Sequence, residues 1–287
     1  MLRRDFLAAV GGTTAALLAS GRTARAATTA TFGTAGKLER IGIELYAVRK
    51  AMKAAPEKTL EALRAIGYTD VELLWSFDNF GQSDKEVHDT LKRVGLKAPS
   101  CHMAPETILT GWGSSLARAK MLGHQYLIAP SLPAETNRSI DAWKLWANRF
   151  NAAGEDARRE GIWLAFHNEP NHQKKLQGEI PIEAFAKALD PKAVRLQLDC
   201  GNMLMGGGDP MDFLARHRSL IHSFHIKNVV ADRSSDTELA KGTFDIKAFL
   251  AAIPDLNKKP CYVEQEGAAD ELASAKANFE YLKGLSW

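Results

Sequence analysis

Eight short apolar runs punctuate this chain, and a segment with helical spacing follows nearly every one. The runs cover residues 41–48, 71–74, 96–102, 126–129, 162–167, 194–199, 224–227 and 261–264. Helical patterns fall between them, for example over 57–66, 84–94, 140–160, 182–189 and 246–253. Glycines mark helix ends at Gly67, Gly95, Gly123 and Gly161, each just before an apolar run resumes. Regular alternation of strand and helix implies a parallel sheet covered by helices. Eight such units point to a closed α/β barrel, (β/α)8. A doubly wound open sheet is the competitor, but no Gly-x-Gly-x-x-Gly follows the first strand, and the count of eight fits closure better.

The strand ends carry the chemistry. The runs IWLAFHNE, VRLQLDC, HSFHIK and CYVEQE deliver His167 with Glu169 just beyond, then Asp199, His225 and Glu264. Side chains at successive strand C-termini of a parallel barrel converge on one mouth. Mixed imidazole and carboxylate donors suit Mn²⁺, Fe²⁺, Co²⁺ or Zn²⁺, and one such ion there would polarise a carbonyl or enolate oxygen. An aspartate ending an apolar run, as Asp199 does, is costly to bury unless paired or bound to a cation. His225 has a plainer reading as a hydrogen-bonded core histidine. Glu264 shares its side-chain parity with Glu266, and Lys227 shares that of His225. Lys227 is expected either to meet a substrate oxygen or to pair with an acidic neighbour. His102 closes the third strand and is expected to touch substrate; His88, His124, His172, His217 and His222 are read as solvated.

The loops after strands two to seven hold aromatic, methionine and polar residues, including Trp75, Phe77 and Asn202. Such loops suit a pocket the size of a sugar, and Trp75 and Asn202, with Glu44 on strand one, are expected to contact substrate.

The N-terminus has a different character. Arg3 and Arg4 precede Phe6-Leu7, a small apolar run follows over 8–19, and Ala24-Arg25-Ala26 precedes Ala27. That is the pattern of a cleavable twin-arginine export signal, and its apolar run is shorter than the roughly 20 residues needed to span a bilayer. The expected organisation is a signal over 1–26, a tether over 27–37 and one barrel domain over 38–287, exported to the periplasm with no stable membrane span after cleavage. Removing the signal takes four arginines and one aspartate from the 37 basic and 34 acidic residues, leaving equal numbers of each. A neutral mature chain gives no electrostatic case for nucleic acid. A small sugar or keto-sugar is the more natural partner, and a homo-oligomer is left open. The three cysteines, Cys101, Cys200 and Cys261, lie in or beside apolar strands and read as buried thiols.

Several stretches resemble the xylose isomerase-like TIM barrels, grouped as sugar phosphate isomerases and epimerases. They are Ile41-Gly42-Ile43-Glu44-Leu45-Tyr46, Leu164-Ala165-Phe166-His167-Asn168, Leu198-Asp199-Cys200-Gly201-Asn202, Phe224-His225-Ile226-Lys227 and Tyr262-Val263-Glu264-Gln265. The resemblance implies one divalent ion held by His167, Asp199, His225 and Glu264. Many epimerases carry a glutamate where this chain has His167, a departure shared with inosose dehydratase-like proteins, so Glu169 is expected either to supply a second carboxylate or to replace His167 as ligand. The implied chemistry is proton removal next to a carbonyl through a metal-stabilised enediolate, with Glu264, Glu169 and Lys227 as catalytic residues. Epimerisation, isomerisation and elimination, including lyase action on a 3-keto-glycoside, all fit it. An endonuclease IV-like phosphodiesterase and a non-catalytic sugar-binding protein are the rivals.

Overall fold

A computed structural model of the protein describes residues 36–287. The expected signal, and all of the expected tether except Gly36 and Lys37, lie outside the described residues.

The eight barrel strands are β1 (Gly42–Glu44), β2 (Asp70–Leu74), β3 (Lys97–His102), β4 (Tyr126–Ala129), β5 (Trp163–His167), β6 (Val194–Asp199), β7 (Ile221–Ile226) and β10 (Cys261–Val263). They close in sequence order, with β10 pairing both β7 and β1, and every pair is parallel. A two-stranded antiparallel ribbon of β8 (Asn228–Val229) and β9 (Asp236–Thr237) interrupts the order after β7. Strand β1 is shorter than its apolar run because the chain turns into a 3₁₀ helix at Leu45–Val48. The seventh strand starts at Ile221, three residues before the expected Phe224; His222 and Ser223 break the apolar run, and the ladder with β6 shifts register at His222 but continues from Ile221 to His225.

Local sequence accounts for the helix boundaries. Ser83 and Glu86 form a reciprocal capping box at the start of the helix Asp84–Val94. That helix ends at Gly95 with φ +80°, and Trp112–Leu122 ends at Gly123 with φ +79°, a left-handed conformation that costs glycine little. The long helix Ile140–Arg159 buries Trp143, Trp146, Ala147, Phe150, Ala153 and Ala157 along one stripe. Each large apolar side chain buried this way stabilises by about 1.5–3 kcal/mol relative to exposure.

Strand parity separates two interiors. On β4 and β5, Leu127, Leu164 and Phe166 join the large core between barrel and helices, whereas Tyr126, Ile128 and Ala165 form a small separate cluster. Period-two alternation produces this division. Most of the remaining inward positions toward the strands' C-terminal ends are polar, and they build the site.

Candidate active site

The inward residues form two polar layers. Four of the lower ones sit two positions before a mouth residue on the same strand: Ser100 below His102, Gln197 below Asp199, Ser223 below His225 and Tyr262 below Glu264. Glu72 from β2 joins them and is completely buried. Ser100 Oγ donates to Glu72 Oε1 at 2.5 Å, and the Tyr262 hydroxyl lies 2.6 Å from Ser100 Oγ. Gln197 Nε2 donates to Glu72 Oε1 and Oε2 at 3.0 and 3.2 Å and to Ser223 Oγ at 3.1 Å. His225 Nε2 lies 2.5 Å from Glu72 Oε2.

Above this layer the expected donors converge. One atom each from His167, Asp199, His225 and Glu264 lies within 4.8 Å of the others, and all four residues are buried. His225 Nδ1 is 2.9 Å from Glu264 Oε2 and 4.0 Å from Asp199 Oδ2. Asp199 Oδ1 accepts from the Asn202 amide at 2.7 Å, capping the short helix Cys200–Met205 that starts directly after β6. Its Oδ2 has no hydrogen-bond donor; Lys227 Nζ approaches to 3.1 Å but outside hydrogen-bonding geometry. A buried carboxylate oxygen left in that state is costly, and two carboxylates with two imidazoles form a donor set suited to a divalent transition ion. The residues therefore fit the metal that the resemblance implies.

Lys227 is fully buried and lies 3.0 Å from Glu264 Oε2, 2.7 Å from Glu266 Oε1 and 2.9 Å from Asn202 Oδ1. His102 Nδ1 is 3.0 Å from Glu44 Oε1, and its Nε2 is 2.8 Å from Gln197 Oε1. Asn202 Nδ2 lies 3.3 Å from both His167 Nε2 and Glu169 Oε2. A cavity of about 300 Å³ opens over this cluster, lined by Glu44, Tyr46, Phe77, His102, His167, Glu169, Glu264 and Glu266 among others.

The charge states follow from burial and neighbours. Burial opposes a charge on His102, but Glu72 and Glu44 outweigh it and hold the imidazole up at about 9. The same balance, against Glu72, Glu44 and Glu264, keeps His225 well above the usual range. His167 goes the other way, driven well below it by burial and by the cationic neighbours His225 and His102. Burial resists ionisation of Glu44 and Glu72, yet His102 and His225 pull both below the ordinary carboxylate range. Burial pushes Asp199 up to about 6 despite Lys227 beside it. Glu169 rises to about 8 for the same first reason, with Lys227 opposing and Glu264 and Asp199 adding to the rise. Burial also works against the Lys227 ammonium, but Asp199, Glu264 and Glu266 keep it charged.

Of the residues singled out in the sequence, the structure gathers Glu44, His102, His167, Glu169, Asp199, Asn202, His225, Lys227 and Glu264 at one end of the barrel. His167 stands among the clustered donors, with Glu169 beside them on the cavity wall. Trp75 is a correction. A 3₁₀ turn at Trp75–Phe77 takes its ring away from the mouth to stack under Arg118, 4.2 Å from the ring centre, while Ser76 and Phe77 line the cavity. His124, His172 and His217 are also not solvated; all three are buried, His124 bonding the Ala98 carbonyl at 2.6 Å and His217 bonding Glu183 at 2.9 Å. All three cysteines are free, buried thiols. Sequence reading missed Glu72, Ser100, Gln197, Ser223 and Tyr262.

A closed parallel barrel with a mixed imidazole and carboxylate centre at the C-terminal ends of its strands defines the class. The chain belongs to the xylose isomerase-like TIM barrel family, whose model matches residues 60–285. It is similar to an inosose dehydratase of Salmonella typhimurium, 30% identical over 117 residues covering 41% of this chain and 38% of that protein. It is also similar to an inosose dehydratase of Bacillus anthracis, 23% identical over 191 residues covering 64% of this chain and 61% of that one. The chain thus spans less than two thirds of the length of either relative. Among solved structures, a sugar phosphate isomerase/epimerase from Parabacteroides distasonis superposes with a TM-score of 0.74 at 23% identity, covering 88% of this chain and 96% of that one. That likeness is one of fold.

Proposed function

We propose that this protein is a divalent-metal-dependent enzyme that removes a proton next to the carbonyl of a free sugar or keto-sugar, acting as an isomerase, epimerase or lyase. The observation that carries the reading is the buried convergence of His167, Asp199, His225 and Glu264 beneath a sugar-sized cavity. A divalent ion held by those four residues would act as a Lewis acid on a carbonyl oxygen and its neighbouring hydroxyl.

This chain's own residues supply the rest. Glu264, on the cavity wall, takes the proton from the carbon next to the carbonyl, and the C–H electron pair moves toward the carbonyl oxygen. Lys227 and His102 place positive charge beside the oxygen where negative charge grows. Glu169, on a separate strand end, supplies the second proton. Delivered to the opposite face of the same carbon it gives the epimer, and delivered to the neighbouring carbon it gives the isomer. In an elimination the β C–O bond breaks, the double bond forms and the departing oxygen takes the Glu169 proton, so that water or an alcohol leaves. The inosose dehydratase relatives favour this last outcome, as does the chain's histidine on strand five.

The test is exchange of the substrate α-proton for deuterium in D₂O, followed by NMR across keto-sugars, 3-keto-glycosides and cyclic polyol ketones, with Mn²⁺, Co²⁺ or Zn²⁺ supplied. Exchange by the native protein and none by Asp199→Ala supports the reading; no exchange with any of these ketones contradicts it. Arg3-Arg4, the apolar run and Ala24-Arg25-Ala26 support export to the periplasm with cleavage before Ala27. N-terminal sequencing of the protein from the cell envelope tests this, and a start at Met1 would overturn it.

A further inference from the structure

Three donor groups in the barrel are compact enough to hold an ion: His167, Asp199, His225 and Glu264; Glu44, Glu72, His102 and His225; and the three histidines His102, His167 and His225. The hydrogen bonds around Glu72 separate them. Its carboxylate accepts from three groups, Ser100 Oγ, Gln197 Nε2 and His225 Nε2, with Gln197 within reach of both oxygens. Both carboxylate oxygens are therefore already engaged. The set that needs Glu72 is therefore closed.

Glu72 also orients the amide of Gln197. With one Nε2 hydrogen shared by the two Glu72 oxygens and the other on Ser223, Oε1 must face the opposite way, toward His167 Nδ1 at 3.0 Å and His102 Nε2 at 2.8 Å. The flipped amide would set an oxygen against a carboxylate. An amide oxygen only accepts, so both imidazole atoms it meets are N–H donors. His167 is left with a lone pair on Nε2 alone. His102 has its other nitrogen on Glu44, a carboxylate outside the set of His167, Asp199, His225 and Glu264. His225 keeps its Nε2 hydrogen on Glu72, and its Nδ1 faces Glu264, a member of that same set.

Resting on the metal-centre reading above, we infer that Glu72 and Gln197 are positioning residues: one buried carboxylate, acting directly on His225 and through the Gln197 amide on His167, fixes which ring nitrogen of each histidine faces the ion. The ion-facing atoms are His167 Nε2 and His225 Nδ1. Partners of this kind orient ligand histidines and raise their basicity, and losing one typically costs about 10–100-fold in metal affinity.

The experiment uses the full chain labelled with ¹⁵N in its histidine rings, metal-free and then with Zn²⁺, together with Zn²⁺ affinity by chelator competition. In the native protein, His167 shows a single neutral form protonated at Nδ1, and His225 retains its Nε2 hydrogen when Zn²⁺ binds. Glu72→Gln changes the ring pattern of both histidines and weakens Zn²⁺ binding by roughly 10–100-fold. Gln197→Leu changes His167 and leaves His225 as it was, a selectivity that general loss of packing does not produce. Ser100→Ala, which removes only one of the three donors, keeps both patterns and shows that the barrel tolerates change in this layer. Unaltered ring patterns in a folded Glu72→Gln protein, or Zn²⁺ affinity within twofold of native, would overturn the inference. If the native protein binds no Zn²⁺, Mn²⁺ or Co²⁺, the metal reading fails by itself, while the metal-free spectra still decide whether Glu72 sets the two rings.

Discussion

The two polar layers of the barrel differ in one respect: the lower is satisfied and the upper is not. Below the mouth, Glu72, Ser100, Gln197, Ser223 and Tyr262 find hydrogen-bond partners within the layer or just above it. One step higher, Glu44 Oε2 and Asp199 Oδ2 are buried acceptors without a hydrogen bond, and the Lys227 ammonium, 3.1 Å from Asp199 Oδ2, is shared among three carboxylates. A buried polar network stabilises only when complete, because each missing partner costs about 1–3 kcal/mol. The lower layer thus belongs to the architecture. The upper layer keeps unmet bonding capacity at the one place where a ligand can reach it, as functional sites commonly do.

The sharpest way to break this contrast is Asp199→Ala. It removes the Oδ2 that lacks a hydrogen bond together with the Oδ1 that caps the helix Cys200–Met205, so metal binding and turnover should vanish with a stability loss of about 0.5–2 kcal/mol. A variant that stays active, or collapses in stability, would merge the two layers.

The converse change belongs below. Glu72→Ala leaves His225, Gln197 and Ser100 facing an empty position, and a stability loss of about 3–5 kcal/mol in urea unfolding is expected. Glu44→Gln, in the upper layer, should cost no more than about 1 kcal/mol by the same measurement. Similar losses for both would remove the distinction.

Acid stability provides a test independent of either layer. Burial pulls the His124 imidazole down to about 4 and the His172 imidazole down to about 3. Because both folded values lie below the unfolded value of about 6.5, the unfolded chain takes up protons first as pH falls. The stability held above pH 6.5 is therefore lost progressively between pH 6.5 and about 4 to 3, by up to ~3 kcal/mol for His124 and ~5 kcal/mol for His172. Unfolding midpoints measured across that range should fall in the native protein and fall less steeply in His172→Gln. Equal slopes would show that His172 is protonated in the folded chain.

A further change acts on Lys227 through Gly201→Ala. A Cβ there would lie 2.5–2.8 Å from Cβ, Cγ and Cδ of the fully buried Lys227, so the base of that side chain must shift, and a stability loss of about 1–3 kcal/mol with reduced kcat is expected. Unchanged kcat would detach Lys227 from the chemistry.

Much of this was legible in the sequence. Apolar runs located all eight barrel strands, with Tyr126–Ala129 and Val194–Asp199 matching to the residue. The four donors were legible because a histidine or acid ending an apolar run is conspicuous. Glu72 was not, since it lies inside such a run and reads as an interruption rather than an end. Gln197, Ser223, Ser100 and Tyr262 were missed because uncharged polar residues in strands attract little notice, although each lies two positions before a mouth residue and so shares its face. Parity carried to the next layer down would have found them. Trp75 misled because a 3₁₀ turn after β2 ends the strand alternation, and nothing in Trp75-Ser76-Phe77 marks that change.

The metal content of the purified protein, measured by mass spectrometry with Asp199→Ala alongside, tests the metal centre most directly. About one tightly held Mn²⁺, Fe²⁺, Co²⁺ or Zn²⁺ per chain, lost in the variant, is the predicted result. A native protein that carries none and takes up none when these ions are supplied would contradict the central claim and leave a sugar-binding barrel in its place.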